Sequence, residues 1–173
     1  MLSRFVSACA GMALIAAMVA VASPARGAWP HDPKVNVPVC TSAGTQDNAT
    51  IVSDGAGGGI ITWADGRNGA KDIYAQHVDS AGTPRWAANG VVICNDPNEQ
   101  TFPVIVSDGA GGAIIAWQDF RNGGGDIYAQ RVDSTGAPQW PDSGVAICDA
   151  QNDQFPMAIV SDGKGGAIVA WGD

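Results

Sequence analysis

The chain contains one glutamate, Glu99, among seventeen acidic residues. The other sixteen are aspartates, which favour turns, whereas glutamate favours helix interiors. Nothing in the chain reads as a long amphipathic helix. Basic residues are scarce as well, with nine Lys and Arg and a formal net charge of -8. Such an acidic surface repels nucleic acid and anionic lipid head groups, so no nucleic-acid partner is expected. Histidine is limited to His31 and His77, and no motif joins either to Ser or Cys in a nucleophilic triad. A carboxylate pair drawn from sixteen aspartates carries no information. No catalytic residue, and no cofactor, is therefore expected.

What the chain has is 23 glycines, six tryptophans and many Asp, Val and Ile. That composition describes short strands joined by tight turns, an all-β fold.

Residues 1–22 read as a secretory signal peptide. Met1 to Arg4 are short and basic, and Phe5 to Ala22 are apolar apart from Ser7. Ala20-Val21-Ala22 places small residues at a cleavage site, and Ala25-Arg26-Gly27 allows cleavage as late as residue 28. An uncleaved anchor is the alternative, but Ala and Gly make the run weakly hydrophobic for a span of about 20 residues. Val6-Ser7-Ala8-Cys9 resembles a lipoprotein cleavage box, yet too few residues precede it to form an apolar segment. The mature chain is expected to be secreted, extracellular or periplasmic, with no membrane span. Asn48-Ala49-Thr50 matches a glycosylation acceptor and reads as a chance match.

Cys40, Cys94 and Cys148 lie 54 residues apart. Equivalent positions in adjacent repeat units lie beyond the roughly 7 Å Cα reach of a disulfide, so buried free thiols are expected. The same spacing relates Gln46, Gln100 and Gln154, and Trp63, Trp117 and Trp171. Ser53-Asp54-Gly55-Ala56-Gly57-Gly58 returns at 107–112 and, with Lys164 in place of Ala, at 161–166. Between 53–90 and 107–144 about two thirds of positions are identical.

Each unit holds four strand-like runs: residues around Ile51-Val52, then Gly59 to Trp63, Asp72 to Val78, and Gly90 to Cys94. Glycine-rich turns separate them, including Asp65 to Gly69. Four short antiparallel strands per unit with recurring Trp predict a β-propeller blade. A β-sandwich needs no identical units, and a β-solenoid has a shorter coil. The expected organisation is an N-terminal strand over 29–40, blade repeats over 41–94 and 95–148, and a truncated third repeat over 149–173. Asn36 to Cys40 is expected to serve as a ring-closing strand, and the chain as the N-terminal part of a larger propeller.

The run Ser107-Asp108-Gly109, then Ile114 to Gly123, then Asp126-Ile127-Tyr128, resembles the WD40-like propeller repeats of the TolB kind and relatives in bacterial and archaeal surface proteins. Those repeats pair an SPDG-type turn with an Arg-x-Gly hairpin followed by Asp/Glu-Ile-Tyr. The resemblance covers residues 49–79 and 103–133, and 157–173 in part. It departs in extra residues between units and in the Gly-Gly insertion after Asp-Gly. It implies a secreted propeller that binds or scaffolds.

The most chemical-looking cluster is Asp65, Arg67 and Asp72, repeated as Asp119, Arg121 and Asp126. It reads as a structural bridge between strand ends made by charge-assisted hydrogen bonds, against the alternative of a ligand-binding rim. Residues present in every blade build blades, whereas sites break the symmetry. The symmetry-breaking pairs are Gly66/Phe120, Lys71/Gly125, His77/Arg131 and Arg85/Gln139. Lys71, His77, Phe120 and Arg131 are the candidate binding residues. The Asp54 to Gly58 loop is rich in oxygen, but it lacks the Asp-x-Asp-x-Asp-Gly spacing and terminal glutamate of a calcium loop, so no metal is expected. The expected function is an exported propeller module binding a protein or carbohydrate. The alternatives are a sialidase-like hydrolase with catalytic residues in other blades, and an architectural surface-layer repeat.

Overall fold

A computed structural model describes residue 34 and residues 36–173. The expected signal peptide and residues 29–33 and 35 of the expected N-terminal strand lie outside the described residues. The fold is all-β, and among the described residues there is no helix. Ten strands follow in order: β1 (Gln46–Ser53), β2 (Gly59–Asn68), β3 (Ala70–Val78), β4 (Val91–Cys94), β5 (Gln100–Ser107), β6 (Ala113–Asp119), β7 (Asp126–Val132), β8 (Val145–Cys148), β9 (Phe155–Ser161) and β10 (Ala167–Gly172). They form two four-stranded sheets, β1-β2-β3-β4 and β5-β6-β7-β8, and the two-stranded β9-β10 sheet. Every pairing is antiparallel. Residues 36–40 belong to no ladder.

The registers of the two large sheets coincide position by position. Ile51 faces Ile61 and Trp63 faces Tyr74, as Ile105 faces Ile115 and Trp117 faces Tyr128. The β2-β3 hairpin differs from expectation. Asp65 to Gly69 was expected as a turn, but β2 continues through it to Asn68 with a bulge after Asp65, while β6 stops at Asp119. The sequence difference is Gly66 where the second sheet has Phe120, although both amides donate to matching carbonyls, Gly66 to Thr45 O at 2.8 Å and Phe120 to Glu99 O at 3.0 Å.

Local chemistry explains the turns. Asp54 Oδ1 accepts from the amides of Ala56 (2.7 Å) and Gly58 (2.9 Å), closing the turn into β2. Asp108 and Asp162 do the same in the next two turns. A Cβ on Gly58 would sit 2.3 Å from the Val78 carbonyl, so only glycine fits that approach. The return from β3 to β4 is tethered by Gln76, which is buried. Its Oε1 accepts from the Trp86 amide at 2.9 Å while its Nε2 donates to Ala87 O at 2.8 Å. Gln130 repeats both bonds with Trp140 and Pro141. A side chain with a donor and an acceptor is what this position requires.

The sheets stack in chain order, with β1 against β5 and β5 against β9. One core runs between the first two sheets and includes Ile60, Ala64, Ile73, Ala75, Ile115 and Trp117. Thr50 Oγ1 donates to Pro103 O at 3.2 Å, linking β1 to β5. On the far side Trp86 is buried and its Nε1 donates to Ser134 O at 3.0 Å, wedging the first sheet against the second. Trp140, its counterpart, is half-buried. Trp86→Ala is therefore expected to cost about 3 kcal/mol in denaturant unfolding, and Trp140→Ala distinctly less. Equal losses would show that Trp86 is no wedge.

Candidate functional site

Asp65 is fully buried on β2, just before the bulge. Its Oδ2 accepts from Trp63 Nε1 at 2.7 Å and from Arg67 Nη2. Its Oδ1 accepts from the Arg67 amide (3.0 Å) and Nε (2.9 Å). Burial pushes the Asp65 carboxyl up, but the hydrogen bonds from Arg67 and Trp63 outweigh it and hold the pKa at about 2. Arg67 lies over the Tyr74 ring at 3.8 Å and donates to Asn89 O at 2.8 Å. Asp119, Arg121, Trp117, Tyr128 and Ser143 O reproduce this corner in the second sheet.

Two features of the corner were not legible beforehand. Asp72 stands apart from the guanidinium's hydrogen bonds: its Oδ2 accepts from Asn68 Nδ2 at 3.0 Å, as Asp126 accepts from Asn122 at 2.7 Å. Two of the three cysteines also serve the following corner. Arg67 Nη2 donates to Cys40 Sγ and Arg121 Nη2 to Cys94 Sγ, both at 3.3 Å. Cys40, Cys94 and Cys148 are free thiols, with Cys94 buried and the other two half-buried. Burial pushes the Cys94 thiol up to about 11.

The symmetry-breaking residues are engaged locally, and they do not gather into one site. Lys71 Nζ pairs with Asp47 Oδ2 at 2.9 Å and lies 4.0 Å from Glu99. His77 Nε2 and Asp54 Oδ2 lie 2.9 Å apart, and His77 packs against Trp86. Arg131 makes the matching contact to Asp108 at 2.9 Å. The hydrogen bond from His77 is the leading reason that the Asp54 carboxyl titrates below its usual range. Phe120 is half-buried, and its amide donates to Glu99 O at 3.0 Å.

Two polar clefts open at matching places beside the hairpin tips. One, of about 290 Å³, is lined by Asn68, Asp72, Asn95 and Asp96 among others, and the other, of about 500 Å³, by Asn122, Asp126, Asp149 and Asn152. Among the described residues no three His, Cys, Asp or Glu come together to hold a metal. These clefts can hydrogen-bond a polar ligand, but they recur with the scaffold.

A further feature that breaks the repeat is a groove across the edge strands β1, β5 and β9. It is about 250 Å³ in volume and is lined by Asn48, Thr50, Phe102, Pro103 and Pro156. Bulges interrupt β1 between Asp47 and Thr50, and β5 between Thr101 and Val104. At the bulges Asn48 has φ 52° and Phe102 φ 50°. Asparagine tolerates this left-handed region, whereas for phenylalanine it is an outlier with strain of about 1–3 kcal/mol. Phe102 as a residue is 47% exposed. Thr101 Oγ1 donates to Asn48 Oδ1 at 3.3 Å, fixing the amide beside the ring. Sequence reasoning passed over this row. Its signal is the register itself: Asn48, Phe102 and Pro156 are 54 residues apart and all different, in a stretch flanked by the recurring Gln and Ser-Asp-Gly.

Two outcomes test the corner. The Asp65 carboxyl falls from 3.8 unfolded to about 2 folded, so its contribution is full above the unfolded value and is lost as pH falls through the folded one. Asp65→Asn is expected to cost about 2–3 kcal/mol at neutral pH and to flatten the acid limb of stability, measured by unfolding across that range. Under native alkylation Cys40 and Cys148 are expected to react well before Cys94; uniform labelling would contradict the burial of Cys94. No protein-family model matches this chain, and no curated protein or solved structure does.

Proposed function

We propose that the chain is part of an exported β-propeller whose blades form a binding module, with the groove at Asn48, Phe102 and Pro156 as its ligand site. Two four-stranded antiparallel sheets and a two-stranded one, stacked through β1, β5 and β9, support the propeller reading. The basic and apolar pattern of residues 1–22 supports export. Among the described residues no helix is long and apolar enough to cross a membrane.

The observation that carries the binding reading is Phe102, a large aromatic held exposed in a backbone conformation that costs energy. Strain at such a residue persists where the exposed ring is useful. An aromatic face beside a fixed amide and the Thr50 hydroxyl suits a sugar ring, which stacks its C–H face and hydrogen-bonds its hydroxyls. Carbohydrate is accordingly the ligand class proposed, and the reading is of binding without catalysis.

An oligosaccharide array tests it. The wild-type chain is expected to retain a subset of the glycans, and Phe102→Asn to lose at least tenfold in affinity for them. Asn48 shows that asparagine accepts this conformation, so Phe102→Asn is expected to leave the melting temperature unchanged or raise it. Retention of no glycan, or unchanged affinity in the variant, overturns the reading.

A further inference from the structure

The groove across β1, β5 and β9 has two unlike walls. Both of its polar side chains, Asn48 and Thr50, belong to β1. Phe102, Pro103 and Val104 of β5 and Pro156 of β9 supply the apolar wall. The division follows the repeat register, since Val104 stands where Thr50 stands, 54 residues on. Proline carries no N–H, so the backbone of Pro103 and Pro156 offers a ligand no donor.

Hydrogen bonds within the chain decide which polar atoms are left for a ligand. Thr50 spends its only hydroxyl proton on Pro103 O at 3.2 Å, so its Oγ1 can otherwise only accept. Thr101, which is buried, donates to Asn48 Oδ1 at 3.3 Å. That bond sets the direction of the amide. Oδ1 is held by the protein, and Nδ2 has no partner among the described residues. The side chains therefore present one donor, Asn48 Nδ2, and one acceptor, Thr50 Oγ1, beside an apolar wall. A secondary amide bearing a methyl group carries the matching set: an acceptor, a donor and a small apolar end.

We infer that the groove selects a 2-acetamido sugar, an N-acetylhexosamine, over a plain hexose. The acetamido carbonyl accepts from Asn48 Nδ2, and its N–H donates to Thr50 Oγ1. The methyl lies against Pro103, Val104 and Pro156, while the sugar ring keeps its stack on Phe102. A hexose hydroxyl in the same place meets the polar wall and leaves the apolar wall to water. Thr101 is a positioning residue: it acts through the Asn48 amide. A reversed amide sets Oδ1 against the acetamido carbonyl, and two acceptors facing each other lose the bond. The inference rests on the reading of this groove as a glycan site and narrows the class of sugar it takes.

NMR titration of the full chain with N-acetylglucosamine, glucose and N-acetyl-lysine tests it. N-acetylglucosamine is expected to bind about tenfold or more tighter than glucose. N-acetyl-lysine, which has the amide without the ring, is expected to bind no better than glucose. Asn48→Asp tolerates the same left-handed backbone and exchanges the donor for an acceptor. It is expected to erase the preference for N-acetylglucosamine and to leave glucose affinity unchanged. Thr101→Val removes the hydroxyl at similar volume and is expected to weaken the preference, whereas Thr101→Ser is expected to keep it. The ratio of the two sugars is the readout, because a loss of stability alone lowers both affinities together. Equal affinity for the two sugars overturns this inference and leaves the glycan site standing, and so does a preference that survives Asn48→Asp. Binding of neither sugar overturns both readings. N-acetyl-lysine binding as tightly as N-acetylglucosamine overturns the sugar assignment. Should Thr101→Val lose its circular-dichroism signal, Asn48→Asp decides alone, its side chain being exposed.

Discussion

The buried carboxylate that Asp65 and Asp119 place on the second strand of each large sheet is the constraint on which the rest depends. Asp119 is fully buried and accepts from the Trp117 indole, the Arg121 amide and the Arg121 guanidinium. A carboxylate so placed needs its donors, because an unpaired buried charge is expensive. Satisfying it fixes three things together. The Trp117 ring is held flat in the core, the hairpin backbone is folded back on its own side chain, and the guanidinium is aimed at Ser143 O, ahead of β8. The same guanidinium reaches Cys94 Sγ on the preceding sheet. Gly144 passes so close to the Trp117 ring that a Cβ there would come within 2.6 Å of it. One ionic knot thus joins a hairpin, a return loop and a neighbouring sheet.

Within this knot the conspicuous polar groups bond chiefly to one another. The acid, the base, the tryptophan and the thiol that would attract attention in a list of residues are spent on one another. Among the positions that differ between units are those on the bulged edge of β1, β5 and β9. There Asn48, Phe102 and Pro156 occupy one register with three different chemistries. The fold keeps the knots alike and lets the edge vary.

The strand runs were legible because turn chemistry is local. Asp54-Gly55-Ala56-Gly57-Gly58 specifies its own turn through one carboxylate and two amides, and needs no distant partner. The Asp65–Arg67 contact within the Asp-Arg cluster was legible from its recurrence. The cluster's membership was not, because Asp72 binds Asn68 rather than Arg67, and spacing along a hairpin does not say which way a carboxylate turns. The cysteines read as small apolar fillers, and their contact with the next unit's arginine depends on how sheets stack. The groove was missed for a similar reason. A left-handed Phe102 has no sequence signature of its own, and its register with Asn48 and Pro156 gains meaning only when β1, β5 and β9 lie side by side.

The central claim is that the buried Asp-Trp-Arg knot opens only when its sheet opens. Hydrogen exchange of the indole protons tests it most directly. The Trp117 Nε1 proton, bonded to Asp119 at 2.8 Å, is expected to exchange among the slowest in the chain and at the rate of the β6 backbone amides. The indole of Trp171, which is 38% exposed, is expected to exchange far faster. A Trp117 indole that exchanges as fast as that of Trp171 while the β6 amides stay protected would contradict the account.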